Sequence, residues 1–384
     1  MRILVIGWEF PPSKTGGLGT HCYELVKNLG KRGVKVLLLV PQRSKGAIKN
    51  LENVEVIEVG SKISCPYNAV NPNKIDPRIF EKGYGWNLFE EVRLFNKKCV
   101  SIALTKQFDA IHCHDWMTVP AGVELKARTG KPLVLTIHST EYDRTTSIYP
   151  MKYITDIEKW GIQEADLVIT VSYSMRKQLI ERYEADERKV QVIYNGIDCS
   201  RYYGLTKKEG KLVLFLGRLT NQKGPYFFLH TVKKVLEQEK DVLFIVVGQG
   251  EKLPELINQA FGLEIMDHVI FTGFISEQEV LEAYARASVY VMPSVAEPFG
   301  ITALEAMASG TPVIVSKNAG VSETVSHCFK VDYWDTHEMA NKIISILKYP
   351  PLQECMRKNS YRELEGLGWG RVAEQTMDVY RRAL

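Results

Sequence analysis

The segment PLVLTIH (132–138) is a short, continuous apolar run that ends on a histidine. A second run of the same kind, DLVITVS (166–172), follows further along the chain. Strands that are apolar on both faces and are separated by helices are typical of parallel sheets covered on both sides. These two runs therefore predict strands of a parallel α/β sheet.

The same pattern extends in both directions along the chain. Five more runs complete a first set of predicted strands: RILVIG (2–7), KVLLLVP (35–41), VEVIEVG (54–60), FDAIHCHD (108–115) and VQVIYNG (190–196). A second set consists of LVLFLGRL (212–219), VLFIVVGQG (242–250), HVIFTGF (268–274), SVYVMPS (288–294) and PVIVS (312–316). Helices are predicted in this second part over 225–239, 277–286 and 301–309. The sequence thus predicts two doubly wound parallel-sheet domains.

The polar, glycine-rich stretch 195–210 separates the two sets of strands and indicates a linker. We expect a first domain over 1–198, a second over 199–366, and a helix in 367–384 that packs back on the first domain. A chain of 384 residues suits two domains, at roughly 100–200 residues each. The last helix is amphipathic, and one of its faces can hold Val372, Thr376, Val379, Tyr380 and Ala383.

The composition argues against several classes of protein. A balance of 49 basic and 45 acidic residues gives no argument for a nucleic-acid partner. The seven cysteines are scattered without a C-x-x-C pair, so neither a disulfide framework nor a zinc knuckle is indicated, and we expect a reducing, cytoplasmic location. The N-terminal MRILVIGWEF does not resemble a signal peptide, and no run reaches the roughly 18 apolar residues of a membrane span.

Open parallel sheets bind ligands beyond the carboxyl ends of their strands, and two such sheets facing each other would enclose a cleft. SKTGGLGTHCYELVKNL (13–29) is a glycine-rich loop that opens a helix, where backbone N–H groups favour anions. A dinucleotide site is a rival interpretation, but Cys22 stands where its fingerprint needs a third glycine. A purely structural turn also stays open.

HCHDWMT (112–118) follows a predicted strand of the first domain. Its H-x-H pair could ligate a metal, but no third ligand has suitable spacing nearby, so we predict no metal site. Asp115 could instead cap the start of a helix. The functional interpretation is that His114, Asp115 and Trp116 line a sugar site in the cleft, and that His138 faces the same cleft.

Basic residues and glycines follow two strands of the second domain. Arg218 and Lys223, in LFLGRLTNQKG (214–224), lie five positions apart and can clamp a diphosphate. Arginine would act as a bidentate fork and lysine as a point charge, although a solvated basic loop is the alternative. VVGQGE (246–251) is a glycine turn fit for close approach of the backbone to a ligand.

Two glutamates flank a predicted helix start in SVAEPFGITALEAMASGTP (294–312). Glu297 precedes Gly300, where the helix is expected to start, and Glu305 lies inside the helix. The N–H groups of the first turn favour phosphate. The two carboxylates are therefore expected to contact separate parts of one extended ligand rather than to flank one scissile bond.

Taken together, these motifs resemble the family-four retaining glycosyltransferases, which have the GT-B fold of two Rossmann-like domains facing a cleft. EPFGITALEAMASGTPVI (297–314) looks like the family's E-x7-E signature, and GRLTNQKG (217–224) looks like its Arg…Lys diphosphate clamp. KTGGLGTH (14–21), HCHDW (112–116) and YNGID (194–198) are similar to the bacterial and archaeal glycogen and starch synthases.

The resemblance implies transfer of glucose from UDP- or ADP-glucose to an α-1,4-glucan, with retention of configuration. It implies no cofactor and no metal, and the chain has no D-x-D pair that would bridge a metal to the diphosphate. The implied catalytic residues are Glu297, Arg218, Lys223, His138 and Asp115. The implied donor-binding residues are Lys14, Gly16, Gly17, Asn195, Gly248, Gly250, Phe299, Gly300, Ile301, Thr302 and Glu305. The implied acceptor-binding residues are His114, Asp115 and Trp116.

Two alternatives stay open. One is a family-four hexosyltransferase with a lipid, disaccharide or sugar phosphate as acceptor. Lys27, Lys31 and Arg32 on the first helix could touch anionic lipid, although a solvated helix face also explains them. The other is a non-catalytic protein that binds a nucleotide sugar or a glucan, against which the presence of both glutamates and both basic residues argues.

Overall fold

The structure is a computed structural model that describes residues 1–12, 16–42, 50–60, 87–202 and 210–384, with Asn87 described by its backbone alone. The chain divides into two compact units. Unit 1 consists of Met1–Glu141, Pro150–Asn195 and Trp369–Leu384. Unit 2 consists of Tyr142–Tyr149 and Gly196–Gly368.

Unit 1 contains a seven-stranded parallel sheet. Its strands are β1 (Arg2–Ile6), β2 (Lys35–Pro41), β3 (Val54–Val59), β4 (Ala110–His114), β5 (Leu133–Ile137), β6 (Leu167–Thr170) and β7 (Val190–Val192). They lie in the order β3-β2-β1-β4-β5-β6-β7. Every residue of β4 and β5 is buried, as expected for central strands of a sheet that is covered on both faces.

The described residues before Gly196 form six α-helices, of which the fourth falls mostly within unit 2. They are α1 (Gly17–Lys31), α2 (Asn87–Ala103), α3 (Val119–Thr129), α4 (Glu141–Arg144), α5 (Lys152–Glu164) and α6 (Tyr173–Tyr183). Their ends follow local chemistry: the Ser172 hydroxyl accepts from the Met175 N–H at 3.1 Å and caps α6. Helix α3 ends at Gly130, whose φ of +66° suits glycine.

Unit 2 contains a six-stranded parallel sheet. Its strands are β8 (Lys211–Leu216), β9 (Val242–Val247), β10 (Val269–Gly273), β11 (Val289–Met292), β12 (Val313–Ser316) and β13 (Phe329–Val331), in the order β10-β9-β8-β11-β12-β13. Its helices are α7 (Pro225–Gln238), α8 (Leu253–Gly262), α9 (Glu277–Arg286), α10 (Ile301–Ala308), α11 (Thr336–Lys348) and α12 (Pro350–Leu364). The three predicted helices correspond to α7, α9 and α10, each within one residue at either end, whereas β13 was not predicted.

Both sheets reverse their strand order at one point. The reversal lies between β1 and β4 in unit 1 and between β8 and β11 in unit 2. Ligands of doubly wound sheets bind at such a reversal, in the crevice beyond the carboxyl ends of the strands. The predicted fold class of two Rossmann-like parallel sheets is therefore confirmed, and the residues that follow these four strands are the first candidates for function.

The last helix, α13 (Trp369–Ala383), belongs to unit 1, where it packs on α1. Its buried residues are Trp369, Val372, Ala373, Thr376, Val379 and Tyr380. Arg32, which directly follows α1, pairs with Glu374 of α13 at 2.9 Å. Among the helices described, α13 included, none combines the length and the apolar character that a bilayer crossing requires.

Candidate active site

The connections that follow β8 and β9 contact each other in unit 2. A Cβ atom on Gly248 would lie 1.9 Å from the carbonyl oxygen of Gly217, and one on Gly250 would lie 2.3 Å from that of Leu219. Gly248 also has a φ of +138°. The neighbouring connection thus leaves no room for a side chain at either position, which is a sufficient physical reason for both glycines.

An ion pair joins the ends of the two strands at the reversal point of unit 2. Lys223, which ends a 3-10 helix after β8, lies 2.6 Å from Glu297, which follows β11. The Ser294 hydroxyl donates to the same carboxylate oxygen at 3.2 Å. The Lys223 side chain is 22% exposed and that of Glu297 is 8% exposed, so the pair is accessible from the lysine side. Arg218 lies half-buried earlier on the same connection.

Backbone hydrogen bonds hold the segment that presents Glu297. The Gly320 N–H donates to the Glu297 carbonyl at 2.9 Å, and the Val321 N–H donates to the Phe299 carbonyl at 2.7 Å. Phe299 itself is buried. The carboxylate therefore projects from a segment that is fixed on both sides.

Gly300 forms the junction between this segment and α10. Its φ of +109° lies in the left-handed region, and a Cβ atom would lie 3.0 Å from the Met292 sulfur. No side chain of the described residues caps the first turn of α10, in which Ile301 is buried. The Tyr290 hydroxyl donates to that of Thr302 at 2.9 Å. This helix start offers the positive end of the helix dipole to an anion.

Two tyrosines contact Glu305, the residue expected to bind a ribose. The Tyr284 hydroxyl donates to the carboxylate at 3.0 Å, and Tyr202 is also hydrogen-bonded to it. Burial, together with the Glu305 charge, raises the pKa of Tyr284 well above its ordinary value, so the phenol stays neutral and donates. Glu305 lies four residues beyond the first residue of α10, which is about 6 Å along the helix axis. Neither tyrosine was predicted from the sequence.

In unit 1, the glycine-rich loop does open a helix. Helix α1 begins at Gly17, and Gly16 precedes it without a side-chain cap among the described residues. No acidic side chain occupies the first turn, so its N–H groups keep the positive end of the helix dipole. Lys14, predicted to bind the donor, lies outside the described residues.

Four histidines lie together at the carboxyl ends of β4 and β5. His112 and His114 belong to β4, His138 follows β5, and His21 lies in α1. His114 Nδ1 is 3.0 Å from His138 Nε2, and the His21 and His138 ring centroids are 4.4 Å apart. Sequence spacing suggested no third ligand near the H-x-H pair. In space His21 is such a neighbour, which sequence spacing did not indicate.

Polar residues surround this histidine cluster. His21 Nδ1 is hydrogen-bonded to the Asn195 side-chain oxygen at 2.6 Å. His112 Nδ1 is hydrogen-bonded to the Tyr380 hydroxyl at 2.6 Å, and its Nε2 to the Thr136 hydroxyl at 2.7 Å. Asn195, predicted to bind the donor, is buried and contacts the cluster. The cluster is thus fixed by β5, by α13 and by the segment after β7.

Burial determines the charge of the cluster. It lowers the pKa of His21 to about 4 and that of His112 to about 3. It also holds the pKa values of His114 and His138 well below the ordinary value, so all four imidazoles are neutral near pH 7. His114, expected to contact an acceptor, is fully buried, whereas His138 is half-buried.

Asp115, which follows β4, is hydrogen-bonded to the residue that follows β5. It has a φ of +56°, and its carboxylate accepts from the backbone N–H of His138 at 2.7 Å. The Asp115 side chain makes no cap hydrogen bond to the following 3-10 helix, Trp116–Thr118, so the interpretation of Asp115 as a helix cap is wrong. Trp116, expected to contact an acceptor sugar, is fully buried, and its ring lies near that of Phe89.

Comparison with known proteins agrees with this geometry. Residues 15–201 match the family described as Glycosyltransferase Family 4, and residues 203–363 match the one described as Glycosyl transferases group 1. An uncharacterized glycosyltransferase of Methanocaldococcus jannaschii is 32% identical over 408 residues, with 100% of this chain and 99% of that protein covered. The chain belongs to the family-four glycosyltransferases.

Further relatives agree with the assignment to the family-four glycosyltransferases. A glycogen synthase of Mycobacterium tuberculosis is 28% identical over 400 residues, covering 100% of this chain and 95% of that protein. The structure of sucrose-phosphate synthase from Thermosynechococcus elongatus has a TM-score of 0.80 at 22% identity, covering 99% of this chain and 98% of that one, and shows the shared fold. The predicted GT-B fold and the predicted enzyme class are confirmed, and the protein is a nucleotide-sugar glycosyltransferase.

Proposed function

We propose that the enzyme transfers a glucosyl group from UDP- or ADP-glucose to the non-reducing end of an α-1,4-glucan, with retention of configuration. The observation that carries this proposal is a row of groups in unit 2. The Lys223–Glu297 pair comes first, the uncapped helix start after Gly300 is next, and Glu305 lies about 6 Å further along α10. Sugar, diphosphate and ribose fit this row in that order.

The charges of unit 2 suit a departing diphosphate. The Lys223 ammonium has three N–H donors, so it can keep Glu297 and also reach a phosphate oxygen. Arg218 adds a second cation, and Glu297 would accept hydrogen bonds from sugar hydroxyls. Stabilisation of developing charge by groups that are already in position commonly contributes more to catalysis than any other single effect. We therefore propose that transfer requires neither a metal nor a cofactor.

The predicted residues of unit 1 receive the sugar and the acceptor in this proposal. Asp115 fixes the backbone of His138, the half-buried histidine of the cluster, and so orients it. Gly16 and Gly17 open α1 and leave its N–H groups available to donor oxygens. The proposal places the enzyme in the cytoplasm, which the free state of the six described cysteines supports.

A specific observation favours a glucan over an anionic lipid. The basic residues of α1 and its C-terminal cap are partly neutralised within unit 1, since Lys27 pairs with Glu24 at 3.1 Å and Arg32 pairs with Glu374 at 2.9 Å. A surface that recruits anionic lipid needs net positive charge. The similarity to a protein named glycogen synthase also supports a glucan acceptor.

The test is nucleotide release by the purified full chain with a panel of donors and acceptors. UDP-glucose, ADP-glucose and UDP-galactose are each combined with glycogen, a maltooligosaccharide, glucose 1-phosphate or no acceptor. We expect glucan-dependent release from one glucose donor, and an α-linked product by NMR. Glu297→Gln, measured in parallel, identifies release caused by a contaminant. Release that requires the sugar phosphate, or that no glucan stimulates, would contradict the proposed acceptor.

A further inference from the structure

We propose that His21, His114 and His138 form a binding site for a divalent transition-metal ion such as Zn²⁺. One ring nitrogen of each lies within 4.8 Å of the other two. Imidazole nitrogens are common ligands of such ions, and three of them with an open fourth position make a complete zinc ligand set. All three histidines belong to unit 1, and metal binding can be measured without turnover, so the inference does not depend on the proposed reaction.

The distance between two of the rings already suits one ion. His114 Nδ1 and His138 Nε2 are 3.0 Å apart. Two nitrogens bound to one tetrahedral Zn²⁺ at 2.0–2.1 Å are about 3.3 Å apart. An ion can therefore replace the proton that these two nitrogens share. The third nitrogen, from His21, lies at most 4.8 Å away and would approach by about 1.5 Å through side-chain rotation.

The surroundings prepare the rings as ligands. The Asn195 oxygen can only accept, so His21 Nδ1 carries the proton and its Nε2 keeps a lone pair. Such an outer hydrogen bond is the usual device that orients a metal-binding histidine. His114 Nε2 is buried and has no hydrogen-bond partner in the described part of the chain. A proton on this nitrogen leaves the lone pair of His114 Nδ1 for an ion.

Access and charge also suit a cation. His138 is half-buried, so an ion can reach the cluster from its side. The Asp115 carboxylate accepts from the backbone N–H of His138 at 2.7 Å and places a negative charge next to the ligands. His112, behind His114, is already bonded through both ring nitrogens and is not available as a ligand.

The experiment measures metal binding directly, with the full chain after treatment with a chelator and dialysis. Co²⁺ is titrated and followed by its visible d–d absorption, and Zn²⁺ is then added to displace it. We expect one ion per chain and intense tetrahedral-type absorption that Zn²⁺ abolishes. His138→Ala should weaken binding by more than about 100-fold, since loss of an outer partner alone, as in Asn195→Ala, weakens it by about 10–100-fold. His230→Ala, an exposed histidine of α7, is the matched control and should leave binding unchanged.

His138→Ala is the decisive variant because His138 is the least buried residue of the three, whereas replacing His21 or His114 endangers folding more. Circular dichroism and thermal unfolding establish that the variant is folded. The inference is overturned if the folded wild-type chain binds no stoichiometric Co²⁺, or if His138→Ala binds it as tightly as His230→Ala. Because the measurement needs no turnover, a failure here is distinguishable from a failure of the proposed function.

Discussion

Replacing Lys223 by alanine tests whether its ion pair with Glu297 serves catalysis or only stability. The carboxylate side chain is 8% exposed and loses a cation that lies 2.6 Å away, while it keeps the Ser294 hydroxyl. In the proposed reaction the same ammonium also neutralises the departing diphosphate. Both effects follow from one substitution, but they appear in different measurements.

The expected magnitudes differ for the two effects. Loss of one preorganised group that stabilises developing charge lowers kcat about 10²–10³-fold, which corresponds to roughly 2.7–4 kcal/mol. Breaking a fully buried ion pair lowers the free energy of unfolding by about 3–5 kcal/mol, and an exposed pair contributes at most about 1 kcal/mol. Since the Lys223 side chain is 22% exposed, we expect a loss of stability of about 2 kcal/mol.

Lys252→Ala is the matched control. Its side chain is 21% exposed, it belongs to the same unit, and it pairs at 3.0 Å with Glu255 rather than with a carboxylate of the row. The assay is the initial rate of glucan-dependent nucleotide release at saturating donor, with urea unfolding of the same preparations. We expect Lys252→Ala to turn over like the wild type.

The double variant of Lys223→Ala with Glu297→Gln completes the comparison. Removing both partners removes the uncompensated buried charge, so stability should largely recover. Turnover should not recover, because the diphosphate still lacks its cation. If Lys223→Ala turns over as fast as Lys252→Ala, or if the double variant regains the wild-type rate, the pair is structural and the assigned donor site is wrong.

Three further predictions concern the same unit. Gly300→Ala should lower the free energy of unfolding by about 1–2 kcal/mol, because φ is +109° there and the Met292 sulfur lies 3.0 Å from the new Cβ. Gly262→Ala, whose new Cβ meets no atom within 4 Å, should not lower it. Equal urea midpoints for the two variants would refute this prediction. Tyr284→Phe should raise the KM for the donor about 3–10-fold and leave kcat nearly unchanged, because a hydrogen bond such as that to Glu305 contributes about 0.5–1.5 kcal/mol. An unchanged KM would contradict the proposed contact between Glu305 and the ribose. Chelator treatment should leave turnover intact, whereas a loss that Mg²⁺ restores would show that the diphosphate needs a metal.

The fold was predictable because central parallel strands carry apolar residues on both faces. The run at 133–137 is apolar in four of its five positions and fully buried, so the pattern in the sequence and the burial coincide. Strand β13 (Phe329–Val331) was missed because three residues at the edge of a sheet form no recognisable run. Sequence patterns therefore located the strands that are buried on both faces better than the short edge strand.

The candidate site was predictable where function follows chain position. Glu297 and Lys223 lie after strands that meet at the reversal of one sheet, so their proximity follows from topology. His21 and Tyr284 were missed because their contacts, to Asn195 and Glu305, join residues 174 and 21 positions apart, and no local pattern encodes such partners. An aromatic residue after a strand suits the core as well as a ligand, and Trp116 is fully buried.

The bond between His112 and Tyr380 has a consequence for the order in which the protein is made. These residues are 268 positions apart, and unit 2 occupies most of the chain between them. Translation at about 5–20 residues per second separates residue 195 from residue 369 by roughly 10–35 s. For that interval the emerging first unit lacks the helix that covers its histidine cluster. The second unit, whose residues all precede position 369, is complete on the ribosome before the first.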